Sequence, residues 1–201
     1  PKKTTLFATS VTFLGHVVGR EGVKPCPEKI KVIKDIDPKG INTLTKVQSF
    51  LGLCSYYRRM VASFSVIAYP LTQLCRKGID VPKESQQPEV QAAILALREA
   101  LCTAPVLMLP RLDGRKFYVQ TDACASQGEG PKGIGAVLAQ LDDEGMERPV
   151  AYYGRRLTPA EQRYTTSEIE ALALVSSLRH WKLYLWNRPF VAQVDHQALI
   201  F

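Results

Sequence analysis

The chain has 201 residues, of which 46% are hydrophobic and 22% are charged. This composition is typical of a globular protein with one large domain or two small ones. No apolar run approaches the roughly 18 residues that a membrane span needs, and the N-terminus lacks a signal-peptide pattern. The five cysteines are scattered and form no C-x-x-C pair, which argues against a zinc site or a disulfide framework. We therefore expect an intracellular protein that is neither secreted nor bound to a membrane.

The net charge of +7 is unevenly distributed along the chain. Residues 1–115 contain 17 Lys and Arg against 9 Asp and Glu, and residues 116–201 contain 9 against 10, so the two parts carry +8 and −1. A basic part beside a neutral part with carboxylates indicates a surface for a polyanion next to a site for cations. The same charge distribution is equally consistent with surface charge that only keeps the protein soluble.

The first part of the chain has mainly helical patterns. Val-rich alternation predicts a strand over 11–18, and Pro25 and Pro27 then open a helix over 28–36. Apolar residues at spacings of three and four predict a second helix after Asn42 or Thr43, either of which can cap it. A further apolar stretch follows, then a polar loop with two prolines and another amphipathic helix; these occupy residues 67–74, 79–88 and 89–102.

The pattern changes to strands after Lys116. Three strands are followed by a long helix and a fourth strand; they are predicted over 116–122, 133–140, 149–155, 166–185 and 190–195. The first two strands are joined by a long glycine-rich connection, and the next two by a polar hairpin loop.

Three carboxylates have surroundings that do not suit them. Asp122 and Asp195 each follow an apolar strand, and Glu170 lies in a helical stretch that is apolar on nearly every side. A carboxylate in such a place costs several kcal/mol unless something pairs with it. Mg²⁺ prefers hard oxygen ligands, and three such groups can hold it. In the alternative, Asp122 forms a turn, Asp195 caps a helix, and Glu170 pairs with a distant Lys or Arg.

Several blocks of the sequence resemble the Pol polyproteins of Ty3/gypsy-type retrotransposons. They follow one another in the family's order and cover nearly all of the chain: FLGHVVGREGVKPCPEKIKVI, TKVQSFLGLCSYYRRMVASFSVIAYPLTQLCRKG, FYVQTDA, IGAVLAQ, RPVAYYGRRLTPAEQRYTTSEIEALALV and VDHQAL. The resemblance implies a fragment of reverse transcriptase joined to a ribonuclease H domain. The fold class is then α/β: an α+β connection region followed by a truncated ribonuclease H-like domain with a mixed sheet.

The resemblance also implies a domain division and a catalytic site. Residues 1–63 would form a thumb-like region, 64–113 a connection region and 114–201 the ribonuclease H-like domain. Asp122, Glu170 and Asp195 match the family's metal-binding and catalytic acids. The implied cofactor is two Mg²⁺ ions, for which Mn²⁺ can substitute. The neighbouring Glu168 is about 200° away around the helix, so it cannot face the same site.

The implied partners are an RNA–DNA hybrid, a template–primer duplex and the rest of the Pol polyprotein. Arg58 and Arg59, beside two tyrosines, and Arg155 and Arg156 are candidate contacts to nucleic acid. Tyr57 also fits a buried helix face. His16 and His180 are expected to be structural, and His196 receives no catalytic role.

Two readings of function follow from this resemblance. In the first, the chain belongs to an endonuclease that hydrolyses RNA in RNA–DNA hybrids, active in a cytoplasmic particle or the nucleus. In the second, it is a binding remnant of a truncated or decayed element. The Tyr-x-Asp-Asp box of the polymerase is absent, and the family's fourth acidic ligand would lie past Phe201. We therefore expect the 201 residues alone to be a poor or inactive nuclease.

Overall fold

The structure is a computed structural model that describes residues 7–124 and 132–194. A helical region with a small sheet precedes a second, larger sheet. The strands are β1 (Ser10–Phe13), β2 (His16–Gly19), β3 (Gly22–Pro25), β4 (Phe117–Cys124), β5 (Gly133–Leu141), β6 (Glu147–Arg156) and β7 (Phe190–Gln193). The helices are α1 (Pro27–Asp35), α2 (Leu44–Tyr56), α3 (Phe64–Ile67), α4 (Tyr69–Leu74), α5 (Val81–Glu84), α6 (Pro88–Cys102), α7 (Thr166–His180) and α8 (Lys182–Leu185).

The first sheet corrects the prediction of one strand over 11–18. Strands β1, β2 and β3 form two successive antiparallel hairpins, and β1 reverses into β2 at Leu14 and Gly15. Both turn residues have positive φ, 44° and 70°, as a two-residue hairpin turn requires. The hydroxyl of Tyr56 donates to the carbonyl of Leu14, so α2 holds this turn in place.

The helical region has one hydrophobic core. Helices α2, α4 and α6 pack together and bury residues such as Val47, Leu71 and Ile94, each with no exposed surface. Tyr57 is also fully buried, and its hydroxyl donates to the carbonyl of Gly15 over 2.7 Å. Its prediction as a core residue is confirmed. Thr43 is the cap of α2, because its hydroxyl accepts from the Lys46 N–H.

Two further predictions need correction. The segment 79–88 is not wholly a loop, because Pro82 lies in the first turn of the short helix α5 and the side chain of Val81 is buried. The helix predicted over 166–185 is two helices, α7 and α8, which meet at Trp181. Trp181 is fully buried under the second sheet, and the change in helix direction places its ring there.

The second sheet is mixed and has the strand order β6-β5-β4-β7. Strands β4, β5 and β6 are antiparallel neighbours, and β7 runs parallel to β4. Helix α7 packs across β4 and β5. A helical region followed by a mixed sheet with a covering helix confirms the predicted α/β fold class.

The two parts of the chain meet along the edge strand β6. The hydroxyl of Ser65 in α3 donates to the carbonyl of Gly154 over 2.8 Å. A Cβ atom added to Gly133 would lie 2.8 Å from Val66 Cγ2, so glycine is what lets α3 approach β5 so closely. Helix α3 thus covers an edge whose backbone groups would otherwise be open.

None of the helices in the described ranges is both long enough and apolar enough to cross a membrane.

Candidate metal site and nucleic-acid interface

Helix α7 begins with a capping box that includes Glu168 but not Glu170. The Thr165 hydroxyl accepts from the Glu168 N–H over 3.4 Å, and the Glu168 carboxylate accepts from the Thr165 N–H over 2.8 Å. This reciprocal capping box fixes the start of the helix, and the bonds to Thr165 lower the pKa of Glu168. Glu168 is therefore exposed and structural, while Glu170 faces inward.

Glu170 is buried, with 9% of its surface exposed. It lies between Ile169 and Ala173, which pack with Ile134 of β5 in one apolar cluster. Ala123, the residue after Asp122, packs against the same cluster. The turn of α7 that carries Glu170 therefore lies over the C-terminal end of β4.

Asp122 lies within β4 and not at its end, because the strand continues to Cys124. Its side chain is exposed. It is directly opposite Gly135, whose Cβ position would be 3.4 Å from Ser63 Oγ. Since side chains alternate along a strand, Asp122 lies on the sheet face opposite α7. Asp122 and Glu170 can thus approach each other only around an edge of β4.

In the described ranges, the side of β4 next to β7 is paired over only part of its length. The parallel pairing of β4 and β7 extends from Phe117↔Phe190 to Gln120↔Gln193, and over the described ranges β4 continues past its last partner by four residues. Asp195 lies outside the described residues. Within them, no group of three or more His, Cys, Asp and Glu side chains is placed to hold a metal ion.

Arg155 and Arg156, predicted as nucleic-acid contacts, have partners within the protein. The Arg155 guanidinium forms two hydrogen bonds with the Glu161 carboxylate, of 2.7 and 2.9 Å, and Arg156 lies 3.6 Å above the ring of Tyr69. The Arg155 guanidinium, together with hydrogen bonds from Thr158, lowers the pKa of Glu161 to about 2. Arg155 therefore helps to hold the segment after β6, and Arg156 connects the end of β6 with Tyr69 of α4.

Arg58 and Arg59 reach the second sheet from a 3-10 helix, Arg58–Met60. Arg58 Nη2 donates to the carbonyl of Gly154, and Arg59 Nη2 donates to the hydroxyl of Tyr184, each over 3.4 Å. Both side chains are exposed. Each guanidinium has five N–H donors, so these single long bonds leave most of them for other acceptors.

His180 ends α7 beside these arginines. Its ring stacks on that of Tyr153 with 4.3 Å between centroids and meets Trp181 at 6.0 Å, which confirms its predicted packing. Burial lowers the pKa of His180, and the charges of Arg59 and Arg58 lower it further. His16 is also structural, since its ring packs against Tyr56 and Tyr57.

Sequence reasoning missed the cavity that these residues share. A space of about 450 Å³ is lined by Arg58, Arg59, His180, Tyr153 and their neighbours. The arginines and His180 are separated by more than 100 residues in the chain. No spacing rule links positions so far apart, and only the folded chain brings them together.

The mixed sheet with its parallel strand pair and covering helix, preceded by a helical part, is the architecture of a ribonuclease H-like domain. The profile of the family described as "RNase H-like domain found in reverse transcriptase" matches residues 87–192. The chain belongs to this family, and it is homologous along its whole length to Pol polyproteins of Ty3/gypsy-type retrotransposons.

Two of these relatives are from Drosophila melanogaster. The chain is 34% identical over 209 residues to the retrovirus-related Pol polyprotein from transposon opus, and 35% identical over 210 residues to that from transposon gypsy. All of the chain is covered in both cases, but only 20% and 19% of the relatives. The Tf2-3 polyprotein of Schizosaccharomyces pombe is 32% identical over 98% of the chain. The chain thus spans between 14% and 20% of the length of these relatives.

Solved structures support the fold. A foamy viral protease-reverse transcriptase in complex with an RNA/DNA hybrid has a TM-score of 0.75 and 23% identity, over 95% of this chain and 24% of that one. A related structure with double-stranded DNA has a TM-score of 0.77 and 24% identity, over 95% of this chain and 31% of that one. At these identities the likeness establishes the shared fold.

Proposed function

We propose that this chain is the ribonuclease H part of a retrotransposon reverse transcriptase and that it hydrolyses the RNA strand of RNA–DNA hybrids. In this proposal Asp122, Glu170 and Asp195 hold two Mg²⁺ ions. The observation that carries it is the register of β4 and β7. Gln120 pairs with Gln193 in parallel, and Asp122 and Asp195 each follow two residues later in the sequence.

The chemistry of these residues fits a divalent cation. The buried carboxylate of Glu170 is costly unless a positive charge or several donors compensate it, and the exposed Asp122 can bind an ion that enters from solvent. All three proposed ligands offer oxygen atoms, as Mg²⁺ requires. Ions bound there supply a more acidic water and positive charge beside the leaving oxygen of the phosphodiester.

The residues of the chain have separate tasks in this mechanism. Glu170 is held by an apolar helix face, so its carboxylate is rigid, and the capping box at Thr165 fixes the start of that helix. Asp122 lies on β4, where its described partner in the sheet is Gly135 of β5. A ligand set on such elements is positioned before the substrate arrives, which lowers the cost of reorganisation during hydrolysis.

We further propose the domain division 1–63, 64–113 and 114–201 for the thumb-like, connection and ribonuclease H-like regions. The apolar clusters of the second sheet support the last boundary, because their buried members begin at Phe117. A template–primer duplex and the remainder of a Pol polyprotein are the proposed partners.

The test is cleavage of a labelled RNA–DNA hybrid in the presence of Mg²⁺. We expect the chain to cut the RNA strand and Glu170→Gln to lose this activity. Glu168→Gln is the matched control, because glutamine can also complete a capping box and Glu168 faces solvent two residues away. A chain that binds hybrid without cutting it would instead be a nucleic-acid-binding module.

A further inference from the structure

The cavity at the junction of the two parts of the chain is basic. Arg58 and Arg59 enter it from the 3-10 helix, Arg155 from β6 and His180 from the end of α7. No carboxylate is among its lining residues in the described part of the chain. The carboxylate of Glu161 neutralises Arg155, whereas Arg58 and Arg59 form no ion pair with any residue in the described ranges. The cavity therefore holds two cations without counterions.

The cavity also contains hydrogen-bond donors that are available to a ligand. The guanidinium groups of Arg58 and Arg59 each make one 3.4 Å bond to a neutral oxygen, which is too weak to occupy them fully. His180 is held in a fixed orientation by its stack on Tyr153. Two guanidinium forks and an imidazole around one space suit the oxygens of a phosphate group.

We infer that Arg58, Arg59 and His180 form a binding site for a backbone phosphate of a nucleic-acid duplex. The inference adopts the duplex partner of the proposed function, but it does not require hydrolysis. Because the two arginines come from the helical region and His180 from the ribonuclease H-like domain, one phosphate would bridge both parts. The site would fix the position of the duplex relative to α7.

Binding of a phosphate at this site should be coupled to protonation of His180. In the free protein, burial and the two arginines lower the pKa of His180, so its ring is neutral at neutral pH. A phosphate that binds beside the ring favours the imidazolium and raises this pKa. The other charged or titratable groups that line the cavity are Arg58, Arg59, Arg155, Tyr152 and Tyr153, and arginine and tyrosine side chains ordinarily titrate well above neutral pH. Binding should therefore strengthen as pH falls through the His180 range.

The experiment measures binding of a fluorescently labelled DNA duplex, which a ribonuclease does not cut, by anisotropy. For Arg58→Gln and Arg59→Gln we expect weaker binding at low salt and a smaller salt-dependence slope, by about one in total because both arginines contact the same phosphate. Arg179→Gln is the matched control. It removes an equal charge next to His180 in the sequence, and Arg179 does not line the cavity.

The pH arm of the experiment isolates His180. As pH falls from about 8 to about 5.5 the chain should bind the duplex more tightly, while His180→Gln should not; uptake of one proton limits the gain to about tenfold per pH unit. A nuclear magnetic resonance titration of the His180 ring, assigned with this variant, should reveal a higher pKa in the presence of duplex. This second measurement uses the unaltered chain, so it is independent of how well the variant folds.

Competition with inorganic phosphate distinguishes the source of the ligand. A backbone site should require millimolar or higher phosphate for displacement, whereas a site for a free phosphate compound should bind the inorganic ion alone. The inference is overturned if both arginine variants bind duplex as the chain does, or if duplex leaves the His180 pKa unchanged. If the inference is overturned in this way but the chain still cleaves the RNA–DNA hybrid, the proposed function stands.

Discussion

Ser65 and Gly154, 89 residues apart, are joined by a hydrogen bond in which the Ser65 hydroxyl donates to the Gly154 carbonyl over 2.8 Å. This bond ties α3 to the edge of the second sheet. Ser65→Ala removes the donor and leaves only the longer bond from Arg58. We expect this variant to lose about 1 kcal/mol of the free energy of unfolding, measured by urea denaturation.

Ser49→Ala is the control for this prediction, because Ser49 is exposed on α2 and its substitution should change stability by less than about 0.5 kcal/mol. Equal stability of the Ser65→Ala variant and the unaltered chain would mean that this bond does not help to hold the two parts together.

The ion pair of Arg155 and Glu161 should make stability depend on pH. The pKa of Glu161 is lowered from 4.5 to about 2 in the folded chain, so its contribution is fully present above about pH 4.5 and is lost as pH falls towards 2. Glu161→Gln should lower the free energy of unfolding by about 1–2 kcal/mol at neutral pH. The difference from the unaltered chain should shrink across this window and vanish near its lower end.

Glu144→Gln is the matched control for this pH series. Glu144 is exposed in the turn between β5 and β6, so its substitution removes the same charge while the Arg155–Glu161 ion pair stays intact. A constant difference between the Glu161→Gln variant and the unaltered chain down to about pH 2 would rule out the ion pair as its cause.

Two cysteines should differ strongly in reactivity. Cys54 is fully buried in α2, and burial raises the pKa of its thiol to about 12, whereas Cys102 is exposed at the end of α6. Alkylation with iodoacetamide, followed by mass spectrometry of each peptide, should label Cys54 roughly a thousandfold more slowly than Cys102. In denaturant the two rates should become equal; similar rates in the native chain would contradict the packing of α2.

Local patterns predicted the long elements of the fold but not its turns. Helix α6 was found from its apolar spacing, and its observed bounds, Pro88–Cys102, differ by one residue from the prediction. The hairpin at Leu14 was missed because a leucine with positive φ gives no local signal, and the contact from Tyr56 that supports it comes from α2. The division between α7 and α8 depends in the same way on burial of Trp181.

The candidate site, like the fold, could be predicted from the sequence only in part. An acid inside an apolar helix predicted that Glu170 is buried, and the structure confirms its burial. The separation of Asp122 and Glu170 onto opposite sheet faces was not predicted, because it depends on strand register. The contact of Arg58 with Gly154 was also missed, since the two residues are 96 positions apart and only the packing of the whole chain brings them together. The Arg155–Glu161 pair is local, six positions apart, but it depends on how the chain turns after β6.

The most direct test of the proposed metal site is the rate of Mg²⁺-dependent cleavage of a labelled RNA–DNA hybrid by the chain, Glu168→Gln and Glu170→Gln. We predict cleavage, even if slow, by the first two proteins, its loss on chelation of the metal, and a rate for Glu170→Gln lower by about a hundredfold or more. Cleavage by Glu170→Gln at the rate of the unaltered chain would contradict the account. So would a chain that binds the hybrid in Mg²⁺ and never cuts it.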